Sequence, residues 1–277
     1  MKRYANEGPV LFLDSGIGGL PYLRYFRERN PGENLAYVAD RLNFPYGSKD
    51  KDTLVKLLSS LLSRLVAAVS PKLVVLACNT ASVSALDSLR KEFSGLPFVG
   101  TVPAVKPAVL NSRISLAGVL GTERTIADEY IRSLAGKFNP DCRVMGVAAP
   151  ELVEFVEHAL DSASKAERLN SVRPYIEKFR SAGADSIVLG CTHFLFLLDE
   201  FRELAGDDMT IYDSVSGVVT RAESLLSRQG LWRRGGGGGR PRCFLTGGGE
   251  PGAAWEKRAG DFGLELVLFD NAKSEAL

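Results

Sequence analysis

The sequence predicts an α/β protein whose strands form mostly parallel sheets flanked by helices. Short apolar runs of strand length alternate along the chain with longer amphipathic segments, which is the order of βαβ units. A polar or thiol residue ends several of these runs, at Asp14, Cys78, Thr122 and Cys191. Ligands of parallel sheets bind at the carboxyl ends of the strands, so this pattern also predicts which edge carries function.

The predicted strands fall into two sets. The first set covers residues 10–15, 34–40, 72–78 and 96–102. The amphipathic segments 21–29 and 50–69 between them have the apolar spacing of helices that pack one face against a sheet. The second set covers residues 115–122, 142–149, 185–191 and 210–214. Two later runs, 243–248 and 264–270, are predicted to return to the first set as extra strands.

The chain is predicted to cross between two domains twice. The segment 96–108 contains three prolines and helix-breaking turns, which are typical of a boundary. A second crossing is predicted near Tyr212 and Asp213. We therefore expect two α/β domains. The first is formed by residues 1–99 plus 212–277, and the second by residues 100–211.

The composition excludes several classes of protein. The 34 basic and 33 acidic side chains nearly cancel within 277 residues, and no basic stripe is present, so we expect no nucleic-acid partner. The longest apolar runs have the length of strands, well below the roughly 20 residues of a membrane span. The first residues lack the apolar core of a signal peptide. We therefore expect a cytoplasmic protein without membrane contact, whose four cysteines are free thiols.

Three features are predicted to be structural. Residues 233–242 contain five consecutive glycines, which cannot form a core, and we expect a mobile surface loop there. Cys142 and Cys243 lie outside the candidate motifs and are interpreted as small core or surface thiols.

The first candidate motif, DSGIGG at residues 14–19, lies where a strand meets a helix. Glycines allow close backbone approach, and free N–H groups at a helix start attract a carboxylate or phosphate. The glycines are spaced too tightly for a dinucleotide-binding turn. Asp14 and Ser15 are candidate ligand-binding residues, although a helix cap followed by a tight turn accounts for the motif equally well.

The second candidate motif is Pro45-Tyr46-Gly47-Ser48, which follows the strand ending near Asp40. Proline and glycine are the usual residues of turns, and a simple turn is the favoured interpretation of the motif alone. As a functional loop, its backbone amides and the Ser48 hydroxyl would hold a substrate carboxylate.

The most specific feature is a pair of matching segments, LVVLACNTAS around Cys78 and SIVLGCTHF around Cys191. In each, an apolar strand and a small residue precede a thiol, and polar residues follow it: Asn79 and Thr80 in the first copy, Thr192 and His193 in the second. Helix N-terminal amides favour a thiolate, and the imidazole is able to orient the second thiol or exchange protons with it. Two thiols presented alike suit proton transfer on the two faces of a carbon atom.

The same residues allow an alternative, a catalytic zinc ion held by Cys78, Cys191 and His193. The closely spaced ligand pairs of structural zinc sites are missing. No lysine motif for a pyridoxal imine stands out either, so we expect neither a metal nor a cofactor.

Together these motifs resemble the cofactor-independent glutamate racemases of the aspartate/glutamate racemase superfamily. The resemblance covers nearly the whole chain and rests on DSGIGG (14–19), YVADRLNFPYGSK (37–49), ACNTAS (77–82), PFVGTVPAVKPA (97–108), GVLGTERTI (118–126) and LGCTHF (189–194). It implies two similar α/β domains with the active site in the cleft between them. It also implies glutamate as the small-molecule partner and D-glutamate supply for peptidoglycan. A homodimer is a candidate assembly.

The resemblance further implies roles for individual residues. Cys78 would act on D-glutamate with help from Asp14, and Cys191 would act on L-glutamate with help from His193. The positions that match substrate contacts are Asp14, Ser15, Tyr46, Gly47, Asn79, Thr80, Thr192 and His193.

One stretch, residues 149–157, departs from the family pattern. It begins Ala-Pro where Cys-Pro is expected, and Glu151 and Glu154 replace expected apolar residues. Glu157 still aligns with an acidic position near the second thiol. The two glutamates are interpreted either as a solvated helix face or as a change in local packing or in a regulatory contact.

Three other functions fit the sequence. An aspartate racemase or related superfamily isomerase is the nearest, although His193 after Cys191 and Thr192 favours glutamate. A one-thiol lyase or decarboxylase is disfavoured by the presence of both cysteines. A non-catalytic carboxylate-binding or partner-binding protein is the alternative from a different class.

Overall fold

The computed structural model describes residues 6–235 and 237–269. These residues divide into two compact units: unit 1 contains those up to Thr101 and those from Val215 onward, and unit 2 is Val102–Ser214. Each unit is built around a sheet, and all strand pairs within the described residues are parallel. The predicted α/β class with parallel sheets and flanking helices is confirmed.

The first part of unit 1 alternates strands with helices. Its elements are β1 (Val10–Asp14), α1 (Leu20–Arg29), β2 (Leu35–Ala39), α2 (Lys51–Val69), β3 (Leu73–Leu76), α3 (Asn79–Glu92) and β4 (Phe98–Gly100). Strands β1, β2 and β3 are buried along their whole length, which explains their continuous apolar sequences. Helix α2 begins where the Asp50 carboxylate accepts a hydrogen bond from the Thr53 amide, and it packs a leucine-rich face against the core.

Unit 2 has the same alternation on a smaller scale. Its elements are α4 (Val105–Asn111), β5 (Leu116–Gly121), α5 (Glu123–Ala127), α6 (Glu129–Phe138), β6 (Arg143–Ala148), α7 (Pro150–Glu154), α8 (Lys165–Ser181), β7 (Ser186–Gly190), α9 (Leu198–Ala205) and β8 (Thr210–Tyr212). The strand order is β6-β5-β7-β8. The proline-rich boundary segment forms a helix from Val105 onward, because Pro107 lies in its first turn, where a missing N–H breaks no intrahelical bond.

The chain then returns to unit 1. Its last elements are α10 (Val215–Gln229), β9 (Arg242–Thr246), α11 (Ala253–Phe262) and β10 (Glu265–Phe269). In the described part of the chain, the unit 1 sheet has the order β10-β9-β2-β1-β3-β4. The prediction that the two C-terminal runs join the first sheet is therefore confirmed, with residue 270 of the second run outside the described residues.

The glycine-rich segment between α10 and β9 is irregular where the structure describes it. Strand β9 already begins at Arg242, one residue inside the predicted loop. Two backbone amides tie the segment to the start of β2: Arg233 donates to the Glu33 carboxylate at 2.8 Å, and Gly238 donates to the Pro31 carbonyl at 3.2 Å. Gly236 lies outside the described residues.

All ten predicted strands are present, and their polar ends lie at the predicted edge. Asp14 ends β1, Cys78 follows β3 by two residues, and Thr122 and Cys191 directly follow β5 and β7. Several strands are shorter than predicted, because the chain turns away from the sheet where these polar residues begin. Across residues 6–235 and 237–269, no helix is long and apolar enough to cross a membrane.

Candidate active site

The glycine motif places a buried carboxylate at the end of β1. Asp14 is fully buried, and its Oδ1 accepts hydrogen bonds from the Gly16 amide at 3.0 Å and the Ser15 hydroxyl at 3.3 Å. Helix α1 begins only at Leu20, and its N-cap residue, Gly19, makes no side-chain cap. Asp14 therefore holds the turn after β1, and the interpretation of Asp14 and Ser15 as a helix cap is wrong.

The turn after β1 lies tightly against β3. A Cβ atom on Gly19 would lie 2.7 Å from the Cβ of Ala77, the residue before Cys78, so only glycine fits. The Tyr37 hydroxyl also braces this turn, donating to the Gly16 carbonyl at 2.7 Å and accepting from the Gly19 amide at 3.1 Å. Close packing of this kind keeps Asp14 next to the strand that presents the first thiol.

The first thiol lies at a helix N-terminus. Cys78 is the N-cap residue of α3, with extended backbone angles of φ −143° and ψ 122°, and it is 8% exposed. The positive end of a 14-residue helix favours the thiolate form of such a cysteine. Asn79 and Thr80 follow it and are both buried. Neither side-chain amide atom of Asn79 has a hydrogen-bond partner among the described residues.

Tyr46 connects the first thiol with two carboxylates. Its hydroxyl is buried and donates a hydrogen bond to Asp40 Oδ2 at 2.7 Å. Burial, and then the negative charges of Asp40, Cys78 and Asp14, hold the pKa of Tyr46 well above its usual range. The phenol therefore stays protonated, and Tyr46 brings the predicted residues Asp14 and Cys78 into one electrostatic neighbourhood.

The other residues of this turn are more exposed than Tyr46. Gly47 is half-buried, and Ser48 is exposed with its hydroxyl donating to the Pro45 carbonyl at 3.1 Å. The Ser48 hydroxyl, expected to hold a substrate carboxylate, thus closes the turn on itself. The backbone amides of the turn are better candidates for substrate contact.

The second thiol has a different neighbour. Cys191 follows β7 with φ −138° and ψ 134° and is 6% exposed. His193 Nδ1 lies 3.9 Å from the Cys191 sulfur, and His193 Nε2 lies 2.9 Å from Glu157 Oε2. All three side chains and Thr192 are buried. An ionised Glu157 only accepts, so it pairs with a proton on Nε2, and in the neutral ring the Nδ1 lone pair then faces the thiol, as in a base that activates a nucleophile.

Glu157 reaches His193 from a distorted helical segment. Helix α7 ends at Glu154 and continues as a π-helical turn, Phe155–Ala159, a distortion frequent at functional sites. Glu151 and Glu154 are exposed, whereas Glu157 faces the interior. Glu151 and Glu154 therefore lie on a solvated helix face, whereas Ala149, at the position where a cysteine was expected, is fully buried.

One buried residue, Asp40, did not stand out in the sequence. Asp40 directly follows β2 and is 1% exposed, so the strand-end argument that identified Asp14 could also have identified it. Thr122 has a structural role, since its hydroxyl caps α5 by accepting from the Thr125 amide at 3.2 Å. No cluster of three or more His, Cys, Asp or Glu side chains in the described ranges is arranged to hold a metal ion.

Each parallel α/β unit thus presents a buried thiol at a strand end, beside groups that handle protons. This combination defines the class of thiol-dependent proton-transfer enzymes. The model of the Asp/Glu/Hydantoin racemase family matches residues 29–222, and the chain belongs to this family. The family predicted from the motifs is therefore confirmed.

The chain is similar to relatives named glutamate racemases along most of its length. It is 39% identical to the glutamate racemase of Treponema pallidum (strain Nichols) over 271 residues, which cover 97% of this chain and 99% of that protein. It is 42% identical to the glutamate racemase of Roseiflexus sp. (strain RS-1) over 226 residues, 81% of this chain and 82% of that protein.

Solved structures show the same similarity in three dimensions. Escherichia coli glutamate racemase, in a crystal structure with L-glutamate and the activator UDP-MurNAc-Ala, superposes with a TM-score of 0.83 at 28% identity. The superposition covers 95% of this chain and 98% of that one. The arrangement of elements described above is therefore shared with a racemase over nearly its whole length.

Proposed function

We propose that this protein interconverts L-glutamate and D-glutamate by proton transfer at the α-carbon, using two thiols and no bound cofactor. The observation that carries the proposal is one buried thiol at a strand end in each unit, each with its own proton-handling neighbour. Relatives named glutamate racemases cover nearly the whole chain, which supports glutamate as the substrate.

The chemistry requires two cysteines in opposite protonation states. One thiolate takes the α-proton from one face of the carbon, and the other thiol donates its proton to the opposite face. The protons balance, because each turnover exchanges the states of the two thiols and solvent restores them. An α-proton beside a carboxylate is a very weak acid, so catalysis depends on positioning, water exclusion and hydrogen-bond donors to the developing charge.

Cys78 is proposed to act on D-glutamate. The start of α3 favours its thiolate, and the buried Asp14 carboxylate assists proton exchange at the same strand edge. The neutral phenol of Tyr46 is a fixed hydroxyl that adds no charge beside the substrate.

Cys191 is proposed to act on L-glutamate. His193 takes the thiol proton through Nδ1, and the Glu157 carboxylate stabilises the imidazolium that forms. Glu157 thus stabilises His193 through the ring nitrogen that faces away from Cys191. This carboxylate–imidazole pair distinguishes the second thiol from the first.

The substrate needs partners for two carboxylates and one ammonium group. The proposed contacts are the side chains or amides of Asp14, Ser15, Tyr46, Gly47, Asn79, Thr80, Thr192 and His193. Asn79 supports this assignment most directly, because a buried amide without protein partners is costly unless a ligand satisfies it.

The biological role follows from the product. We propose that the D-glutamate supplies peptidoglycan synthesis, as the family resemblance implies. A cytoplasmic location and a homodimer stay predictions from the sequence, and light scattering of the purified protein tests the second.

The decisive test is circular dichroism of separate L-glutamate and D-glutamate solutions containing the purified protein. We expect both signals to decay to zero, and L-aspartate solutions to keep their signal. In D₂O the product should gain α-deuterium, whereas recovered substrate should gain little, because each thiol serves one face. Constant signals from both glutamate enantiomers would overturn the proposal, and decay with aspartate alone would assign the activity to that amino acid.

A further inference from the structure

Asp40 is the centre of a buried hydrogen-bond cluster in unit 1. It follows β2, and its amide donates to the Asp14 carbonyl at 2.9 Å, so the two strand-end carboxylates lie on adjacent strands. Its carboxylate accepts the Tyr46 hydroxyl at 2.7 Å and the Thr246 hydroxyl at 2.6 Å. The side-chain amide of Asn43 donates to both carboxylate oxygens, at 2.9 and 3.2 Å.

The C-terminal part of the chain supplies one of these donors. Thr246 is the last residue of β9, and its hydroxyl oxygen accepts the Leu42 amide at 3.1 Å, so its own proton points to Asp40. The Arg41 guanidinium donates to three backbone carbonyls within residues 246–251. Arg41 and Leu42 are therefore fixed by residues 246–251. Those residues lie C-terminal to residues 29–222, which the family model matches.

This cluster requires a carboxylate at position 40. Three side chains direct donors at it, and an ionised carboxylate is an acceptor on both oxygens. An amide at the same place would present N–H groups to at least one of these donors and leave it unpaired in a buried site.

The cluster lies next to the first thiol. The turn formed by residues 46–48 packs against α3, the helix that begins immediately after Cys78. Tyr46 is the side chain that joins this turn to Asp40, and its phenol also interacts electrostatically with the Cys78 thiolate. A shift of the turn would therefore move groups beside the reacting atoms.

We propose that Asp40, held by Thr246, is a positioning residue that fixes the 45–48 turn beside Cys78 so that its backbone amides bind the substrate carboxylate. This inference rests on the proposed racemisation, since it concerns the same site. Asp40 acts through Tyr46 and the turn, and no contact with the substrate is assigned to it.

The molecule contains a matched control at the other end of the same strand. Glu33 precedes β2, is 6% exposed, forms an ion pair with the buried Lys72 and accepts the Arg233 amide. Asp40→Asn and Glu33→Gln therefore make the same chemical change, carboxylate to amide, at two buried sites flanking β2. Both are expected to lower Tm, because each leaves buried donors or a buried charge without its partner.

The experiment compares KM and kcat for both glutamate enantiomers, normalised to the folded fraction at a temperature below both transitions. We expect Asp40→Asn to raise KM about tenfold, because misplaced contacts weaken substrate binding, and Glu33→Gln to leave KM and kcat unchanged. Equal kinetic constants in Asp40→Asn and wild type would overturn the inference. Absence of racemisation by the wild type would instead overturn the proposed function.

A second pair of variants decides the question if Asp40→Asn does not fold. Thr246→Val removes the hydroxyl and keeps the shape, whereas Thr246→Ser keeps the hydroxyl. We expect the valine variant to raise KM about threefold and the serine variant to restore the wild-type value, since only the hydroxyl reaches Asp40. The same KM in both variants would show that Thr246 supports only the fold.

Discussion

Cys78 and Cys191 have nearly the same backbone setting but different chemical surroundings. Both follow a buried parallel strand with extended backbone angles, and both are less than one-tenth exposed. Cys78 begins the 14-residue helix α3, whereas Cys191 begins a 3₁₀ segment of six residues, Thr192–Leu197. Helix α9 follows this segment directly, so both thiols precede a run of helical residues, regular after Cys78 and tightened at its start after Cys191.

The neighbouring side chains of the two thiols differ more strongly. Cys191 has an imidazole beside it that is held by a buried carboxylate, and Cys78 has a carboxylate neighbourhood joined through Tyr46. The strand end thus determines where each thiol lies, whereas segments remote in sequence supply the side chains around it. Two copies of one local motif are therefore surrounded by different ionisable side chains.

The largest expected effect is the loss of either thiol. Cys78→Ser and Cys191→Ser should each lower racemisation by about 10³-fold or more, because a serine hydroxyl is a far weaker acid and base. Cys142→Ala is the control and should keep wild-type activity, since this buried thiol lies outside both sites. Circular dichroism measures all three, and retained activity in either serine variant would remove the two-thiol mechanism.

A smaller loss of activity is expected when the side chains proposed to assist the two thiols, Glu157 and Asp14, are changed. Glu157→Gln and Asp14→Asn should each lower kcat by about 10²-fold, the range expected for general acid–base groups. The two enantiomers have equal free energy, so kcat/KM falls equally in both directions in any variant. The difference must therefore appear in the isotope effects.

Substrates deuterated at the α-carbon provide that measurement. Glu157→Gln should increase the primary isotope effect mainly with L-glutamate, and Asp14→Asn mainly with D-glutamate, because each variant slows deprotonation by one thiol. Identical isotope patterns in the two variants would show that the helpers are not specific to one thiol each.

Substitutions of the residues directly after the two thiols should have different effects on the free energy of unfolding. Asn79→Ala removes a buried amide that has no hydrogen-bond partner among the described residues, so the free energy of unfolding should stay constant or rise by about 1 kcal/mol, while KM rises about tenfold. Thr192→Val removes a buried hydroxyl that has an interaction partner, and it should lose about 1 kcal/mol. Urea unfolding and steady-state kinetics measure both, and a destabilised Asn79→Ala protein would contradict the ligand-binding role of the amide.

The smallest effect on activity concerns a thiol without a proposed catalytic role. Burial raises the pKa of Cys243 to about 12, whereas an unfolded thiol ionises near 9. Above pH 9 the unfolded state loses this proton while the folded state keeps it, so the free energy of unfolding falls as pH rises. Between pH 9 and 11, the free energy of unfolding of Cys243→Ala should fall by about 1–3 kcal/mol less than that of the wild type. Activity at pH 8 should not change. Urea unfolding across this range tests it, and identical slopes in the two proteins would contradict the expectation.

Much of the fold was predictable, because it depends on local patterns. The apolar runs identified all ten strands, and the polar residues after them marked the functional edge of each sheet. The motif around Asp14 was recognisable, but its turn depends on how closely Gly19 approaches Ala77, which spacing along the chain does not show. Asp40 is identifiable in the sequence as the residue after β2. Its hydrogen bond from Thr246, which is 206 residues away, is visible only in the structure.

Glu157 illustrates the same limit. The family resemblance aligned it with an acidic position, and only the π-helical turn shows how it reaches His193 from 36 residues away. The neighbouring Glu151 and Glu154 have the same side chain and lie in solvent. A local sequence window cannot distinguish these three glutamates, since their difference is one of helical register.

The sequence alone determined the α/β class, the parallel strands of the βαβ units, and the two thiols at strand ends, because hydrophobic periodicity and turn chemistry are local properties. The tertiary structure decided the partners of each thiol: the Asp40, Tyr46 and Asp14 neighbourhood of Cys78, and the Glu157–His193 pair beside Cys191. Those partners depend on hydrogen bonds between distant segments, which form only when the sheets bring the segments together.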